Sequence, residues 1–497
     1  MQAVPEPNMQ PMIDDGTSTR TVDRFVLMLA FPIAYVVAPF HVFSFDTARI
    51  AVCDLGMSLF CVVVIARAVT GGRVMRLRMD IPTVALLVLF AASLFSIVPP
   101  LLSGSPAYLQ QYLKSTAHFS YMWLFAVCCA STVVQPELVV RLFRVLAVCA
   151  IPINIFGIYQ VPARAFDWPL AWIEYTGSAV TQTNQLSLEF EGFFRATSIF
   201  SEPSAYALFT MTTLIILLVP YLFFDLRIVR SRTVFLASVY TCFIGMFLTF
   251  SLTIILLFGA FVIAVFLLSR RSTVRKLAAM FSVMTAVFII TNTAIASYAD
   301  ADLFDLYFRR VASNIVGEDK VEAVSGDSFG DRAAAQRAAL SIWQRHPLLG
   351  SGFGCLGFVK GTDGLYGVSA LQMYVYTMAT TGTIGGAAIV VYSFGMGIAV
   401  MRMLIRRQRE RGASAEVGAE DIALSVAAFL CCNEAVHGLS SDDLILQYHW
   451  VVMGVASLVY YHPRLRAAQG VPVMTLGFTP YSTVSLAGTG TPINGKD

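Results

Sequence analysis

The sequence predicts an all-α polytopic membrane protein of about twelve transmembrane helices, with a large helical loop on the outer side between spans nine and ten. Three observations predict it. Of 497 residues, 57% are hydrophobic and only 13% are charged, against about 25% charged in soluble domains. The mean hydropathy is +0.70. The apolar runs repeat along nearly the whole chain, and a membrane helix needs only about 20 apolar residues. Water-soluble classes are thereby excluded. The net charge of +3 identifies no partner; the placement of the charges is what informs.

Residues 1–24 are polar, with Pro5, Pro7, Pro11, Asp14 and Asp15, and read as a disordered cytoplasmic tail. They lack the basic start, short apolar core and cleavage site of a signal peptide. The membrane domain covers 25–462. Its twelve spans are read at 25–44, 50–69, 81–101, 109–131, 138–160, 204–223, 233–250, 252–269, 277–297, 369–401, 421–438 and 446–462. The 369–401 stretch is long for one crossing, so it begins as an extramembrane turn of helix or tilts. Only a few residues around Ser251 separate spans seven and eight. Residues 463–497 are Gly/Thr/Pro-rich and read as a second disordered cytoplasmic tail.

Lys and Arg in short loops set orientation. One set of connections carries Arg73, Arg76, Arg78, Arg141, Arg144, Arg227, Arg230, Arg270, Arg271, Arg402, Arg406, Arg407 and Arg409, among others. The short loops on the opposite side hold only Arg49, Lys114, Arg164 and Arg195. Both termini are therefore placed in the cytoplasm, which requires an even number of spans. Two connections are long, 161–203 and 299–369, and both fall on the outer side. Long connections in a compact protein are usually functional or disordered. Leu303, Phe304, Tyr307, Trp343 and Leu348 give the second one a folding composition. Of nine cysteines only Cys355 is in an outer loop, so no disulfide framework is expected, and no metal-binding spacing occurs.

In the large loop, Asp331 reads as an N-cap, and Ala335, Ala339, Ile342 and Trp343 follow at helical spacing. His346 and Pro347 end that helix before Gly350-Ser-Gly-Phe-Gly354. An amphipathic helix lying on the membrane is the plain alternative. The glycine run is not a nucleotide loop, because no strand–turn–helix unit surrounds it. In the smaller loop, Arg195 and Glu202 flank a hydroxyl-rich run before Pro203. Arg195 either pairs with lipid phosphate or joins Arg332 in clamping a diphosphate, for which the guanidinium fork is suited. Within the spans, Lys114 and His118 lie at i,i+4, and Glu434 and His437 lie at i,i+3 just before Asp442 and Asp443. Both pairs are either internal ion pairs or the lining of a polar cavity open to the outer leaflet.

Gly330-Asp331-Arg332, the Trp-bearing helix and His346-Pro-Leu-Leu-Gly-Ser-Gly-Phe-Gly354 resemble the O-antigen ligase/polymerase superfamily, and Arg195-Ala-Thr-Ser-Ile-Phe-Ser-Glu-Pro-Ser204 is similar to its polymerase side. The resemblance covers roughly 105–460. It implies a bacterial inner-membrane glycosyltransferase working at the periplasmic face, without metal or cofactor. Its substrates would be undecaprenyl-diphosphate-linked oligosaccharides, and a flippase and a chain-length regulator its pathway partners. Ligases of the superfamily carry a His, then Asn, Ser or Gln, nine residues, and Gly-x-x-Gly. Gln372 and Gly382-Thr-Ile-Gly385 match that frame, but the His position is Leu371. That departure favours a polymerase over a ligase acting on lipid A-core or protein. The expected diphosphate donors are Arg195 and Arg332, helped by Arg337, Lys114, His346 and His437, because charge on a leaving diphosphate needs preorganised donors. The expected general base is Glu202, then Glu434. A transporter or flippase is the alternative from another class; it would place its polar residues near the bilayer midplane.

Overall fold

The structure is a computed structural model. It describes residues 16–36, 41–44, 49–70, 75–132, 134–174, 189–190, 193–268, 271–299, 302–316, 329–367, 370, 372–410, 417–441, 444, 447–462 and 473–476. Both expected tails therefore lie mostly outside the described residues, as do Leu371, Asp442 and Asp443.

Helices occupy all twelve predicted segments. They are α1 (Gly16–Tyr35), α2 (Val52–Thr70), α3 (Ile81–Phe95) continued by the short α4 (Val98–Leu102), α5 (Pro106–Ser131) and α6 (Pro136–Ala165). There follow α7 (Pro203–Phe224), α8 (Arg232–Leu248), α9 (Leu252–Leu268) and α10 (Arg271–Ala299). After the loop helices α11 (Leu303–Val316) and α12 (Phe329–Arg345) come α13 (Met373–Glu410), α14 (Ala419–His437) and α15 (Gln447–Tyr460). Among the described residues six helical segments are long and apolar enough to cross a membrane: Val52–Thr70, Ile81–Leu102, Pro136–Ala165, Pro203–Phe224, Thr273–Ser297 and Met373–Glu410. Shorter apolar helices lie at Arg24–Tyr35, Arg232–Leu248 and Leu252–Leu268.

Prolines and hydroxyls start several helices as chemistry dictates. Asp80 accepts the Thr83 N–H at 3.1 Å and Ser105 caps α5 ahead of Pro106; a side-chain oxygen there satisfies an orphan donor, and proline at N1 costs no hydrogen bond. Helix α7 is buried along most of its length and forms the centre of the bundle. Peripheral helices expose apolar residues outward, such as Val62, Ile263, Phe266, Ile289 and Ile290. Such a surface suits hydrocarbon, not water.

Several boundaries differ from the sequence reading. Helix α1 reaches back to Gly16, into the segment expected to be a tail, because extending a formed helix needs no new nucleus. It ends at Tyr35 rather than residue 44, after Pro32, and the chain enters a ribbon of β1 (His41–Ser44) and β2 (Arg49–Ala51). Two further ribbons pair β3 (Met75–Arg78) with β6 (Val473–Leu476), and β4 (Glu189–Phe190) with β5 (Phe193–Phe194). The first brings four residues of the expected C-terminal tail back against the chain. Helix α13 continues to Glu410, since the arginines beyond residue 401 are good helix formers. Helix α12 starts at Phe329, so Asp331 lies inside it rather than capping it.

Candidate functional site

Helix α12 does not lie free on a membrane surface. Its Ala339 and Ile342 are fully buried with Tyr376 and Ala379 of α13, and with Leu356 and Ala370 of the loop. The Trp343 indole N–H donates to the Thr383 hydroxyl at 3.0 Å. The glycine turn then locks onto the same helix. Gly350 has φ +65°, and a Cβ there would meet the Thr380 backbone at 2.4 Å. Ser351 N–H donates to Ala379 C=O at 2.9 Å, and Phe353 N–H donates to the Ser96 hydroxyl at 3.0 Å. Gly350 thus allows backbone to pack on backbone, while Gly352 and Gly354 make room for the Pro100 and Ser115 side chains. Helix α13 breaks where it receives this turn: Gly382 has φ 76° and ψ −177°. The Pro347 carbonyl accepts both the Thr383 N–H and its hydroxyl, each at 2.8 Å. In the same loop Cys355 is fully buried, and burial pushes its thiol up to about 12.

The second part of the site is the C-terminal turn of α14. The last carbonyls of a helix lack partners and carry partial negative charge. Here they and the following turn receive two donors from the loop region. Arg332 Nη1 donates to Ser440 C=O at 3.2 Å, and Met373 N–H lies 2.9 Å from Gly438 C=O and 2.8 Å from Ser441 C=O. Arg332 is half-buried, while Arg337 and His346 are exposed. His437 is buried in this turn, and its carbonyl accepts from Ser440 N–H at 2.8 Å. One turn deeper, Glu434 is completely buried and faces His449 of α15, Oε2 to Nδ1 3.5 Å.

The two intramembrane pairs are therefore rearranged. Glu434 finds its partner across the interface on α15, and the same helix answers the α5 pair. Gln447 Nε2 donates to Asp54 Oδ1 of α2 at 3.1 Å and lies 3.3 Å from His118 Nε2. Lys114 is exposed. Asp54, Gln447 and His449 escaped the sequence reading. The signal for His449 was available, since ionisable residues inside spans are scarce and mark sites by default. Gln447 carries no charge and gives no such signal.

Arg195 is held elsewhere and does not face lipid: it is 6% exposed. Its Nε donates to Thr249 C=O at 2.8 Å, and Ala196 N–H donates to Leu248 C=O at 2.8 Å. Both carbonyls are at the end of α8, where the chain turns through Phe250 (φ 47°) into α9. A cation there answers the helix dipole, so Arg195 secures the α8–α9 turn. Arg164, stacked 4.6 Å over Trp172, binds the Arg195 carbonyl and the Thr197 hydroxyl. Gln160 holds Thr197 and Ser198 from α6. This buried strap delivers Glu202 to the start of α7, where its carboxylate is exposed and accepts from the Ser204 hydroxyl at 3.0 Å. Arg195 and Arg332 thus rest on different supports, one on the α8–α9 turn and one on the end of α14.

No curated protein matches the chain. A family model described as O-antigen ligase matches residues 236–390. That stretch runs from α8 to the middle of α13 and contains Arg332, Arg337, His346 and the glycine turn; Arg195, Glu202, Lys114, Glu434 and His437 lie outside it. The match, over less than a third of the chain, supports the resemblance to the O-antigen ligase/polymerase superfamily, whose members are glycosyl-transferring enzymes, and with the apolar helices it indicates a multi-pass membrane protein.

Proposed function

We propose that the protein is a periplasmic-face glycosyltransferase that polymerises undecaprenyl-diphosphate-linked oligosaccharide repeats. The observation that carries this reading is the seat of Arg332. It lies in the matched segment, half-buried, with one guanidinium nitrogen fixed on the turn that follows Glu434 and His437. Fixing one nitrogen orients the planar fork, which suits it to a diphosphate that gains charge as the glycosyl bond breaks. Arg195 is the second donor, with the exposed Arg337, Lys114 and His346 and the buried His437 contributing to binding.

In the transfer, the bond between the anomeric carbon and the diphosphate oxygen breaks, and the lipid diphosphate leaves with the electron pair. The acceptor hydroxyl forms the new glycosidic bond and gives up its proton to a carboxylate. Glu202 is the first candidate for that base, because an acceptor can reach its exposed carboxylate directly. Glu434 is the second, acting from within the bundle beside His449.

The description of the matched family favours a second reading, a ligase that moves finished glycan to lipid A-core or protein. A gel of lipid-linked and released glycans from a strain lacking this protein separates the two. A single repeat accumulating on the carrier supports the polymerase. Long chains left on the carrier beside a bare acceptor support the ligase, and an unchanged profile removes both.

A further inference from the structure

Opposite the loop side, a cavity of about 420 Å³ opens between the start of α3, the second half of α13 and the end of α15. Ile81, Pro82, Ile398 and Met403 line its apolar part, and Arg402 and Arg406 stand at its mouth. A second cavity of about 640 Å³ shares those two arginines and adds Arg409.

The spacing on α13 explains the arrangement. Gly395, Ile398, Arg402, Arg406 and Arg409 follow one another at intervals of three or four, so they share one face of the helix. The stripe changes character along its length. Val391, Phe394 and Ile398 are apolar and 37–50% exposed; three arginines follow. Arg407, off this stripe, has another task, binding Glu420 at 2.5 Å and Asp421 at 2.6 Å to hold α14. Two carboxylates line the cavities beside the arginines, Asp80 the first and Glu410 the second. Asp80 Oδ1 accepts from Thr83 N–H and from the Tyr461 hydroxyl, and Glu410 pairs with Arg406 at 2.6 Å. Arg402 has no ion-pair partner among the described residues.

We infer that this groove binds an anionic glycerophospholipid of the cytoplasmic leaflet, with its phosphate at Arg402 and Arg406 and an acyl chain along Ile398 and Val391. Charge complementarity selects the headgroup, and the exposed apolar stripe leading away from the arginines selects a molecule with a tail. Basic pockets between helices on the cytoplasmic side recognise anionic headgroups in this way. The site is separate from the proposed transfer chemistry and does not depend on it.

Native mass spectrometry of the full chain in detergent tests the site, with phosphatidylglycerol, cardiolipin and phosphatidylcholine of matched chains and inorganic phosphate as probes. The two anionic lipids should bind in preference to phosphatidylcholine. Arg402→Gln and Arg406→Gln should each reduce that preference about fivefold, the worth of one basic residue at an anionic surface. Ile398→Trp, which fills the groove and keeps the charges, should lower lipid retention while the unfolding midpoint stays at the wild-type value. Equal binding of phosphatidylcholine, or an unchanged preference in both arginine variants, would overturn the proposal. Competition by inorganic phosphate as strong as by lipid would also overturn it, since the groove would then be an ion site without a tail.

Discussion

Gly382→Ala is the sharpest test of how the large loop is held. Gly382 has φ 76° and ψ −177°, and a Cβ there would stand 2.0 Å from the Leu348 carbonyl oxygen. An L-residue forced into that region costs of order 1–3 kcal/mol. The contact cannot relax without lifting the 347–350 turn, which breaks the two 2.8 Å hydrogen bonds from Thr383 to the Pro347 carbonyl. At about 1 kcal/mol each, the combined loss is on the order of 3–5 kcal/mol. The control is Gly259→Ala in α9, where an added Cβ meets nothing within 4 Å and the effect should remain within about 0.5 kcal/mol. Both variants would be compared by membrane yield, by unfolding midpoint in detergent and by the glycan gel. Gly382→Ala should fall well below Gly259→Ala in all three. Equal midpoints for the two would refute the claim that the break in α13 exists to seat the glycine turn.

Four further outcomes follow from named contacts. Arg332→Ala should abolish polymer at a matched membrane level, and Arg332→Lys should restore little, because an ammonium lacks the bidentate fork; near-normal polymer in the alanine variant would sink the diphosphate role. Glu202→Gln should stop transfer if Glu202 is the base, whereas full activity in that variant moves the assignment to Glu434→Gln, scored on the same gel. His449→Leu removes the side chain that faces buried Glu434 at 3.5 Å and should lower stability by about 1–3 kcal/mol, the cost of leaving a buried polar group alone, with much of it regained in Glu434→Leu/His449→Leu; a double variant no better than the single one argues against the pairing. Cys355, fully buried and pushed up to about 12, holds almost no thiolate near pH 8 and should resist maleimide until the chain is unfolded, since the thiolate is the reactive form.

Much of the helix order was legible because apolar runs and prolines are local signals. A helix stands in every predicted segment, and the break near Ser251 separates α8 from α9 as expected. The ends were less legible. Nothing local says that α1 stops at Tyr35 to make a ribbon, or that residues 473–476 pair with 75–78 across the length of the chain. The buried polar residues stood out by type, and their partners did not. Helical spacing paired Glu434 with His437 and Lys114 with His118, whereas α15 supplies a partner to one member of each pair through His449 and Gln447. Spacing rules describe neighbours on one helix; a buried charge is answered by whichever helix packs against it.

The seat of Arg195 shows why an arginine in an outer loop is ambiguous from sequence. A free guanidinium near a bilayer pairs with lipid phosphate, but this one sits on the end of α8. Its geometry also sets what a variant there would report. Arg195→Ala removes both a cation from the α8–α9 turn and a candidate diphosphate donor, so lost polymer alone cannot assign it. The worth of a cation at a helix C-terminus is about 0.3–1 kcal/mol when exposed and up to about 2 when partly buried. If the cap is its whole contribution, Arg195→Lys, which retains the charge near Thr249, should recover both midpoint and polymer together. Recovery of the midpoint without polymer would leave the fork itself as the missing element, and would place Arg195 beside Arg332 in the chemistry.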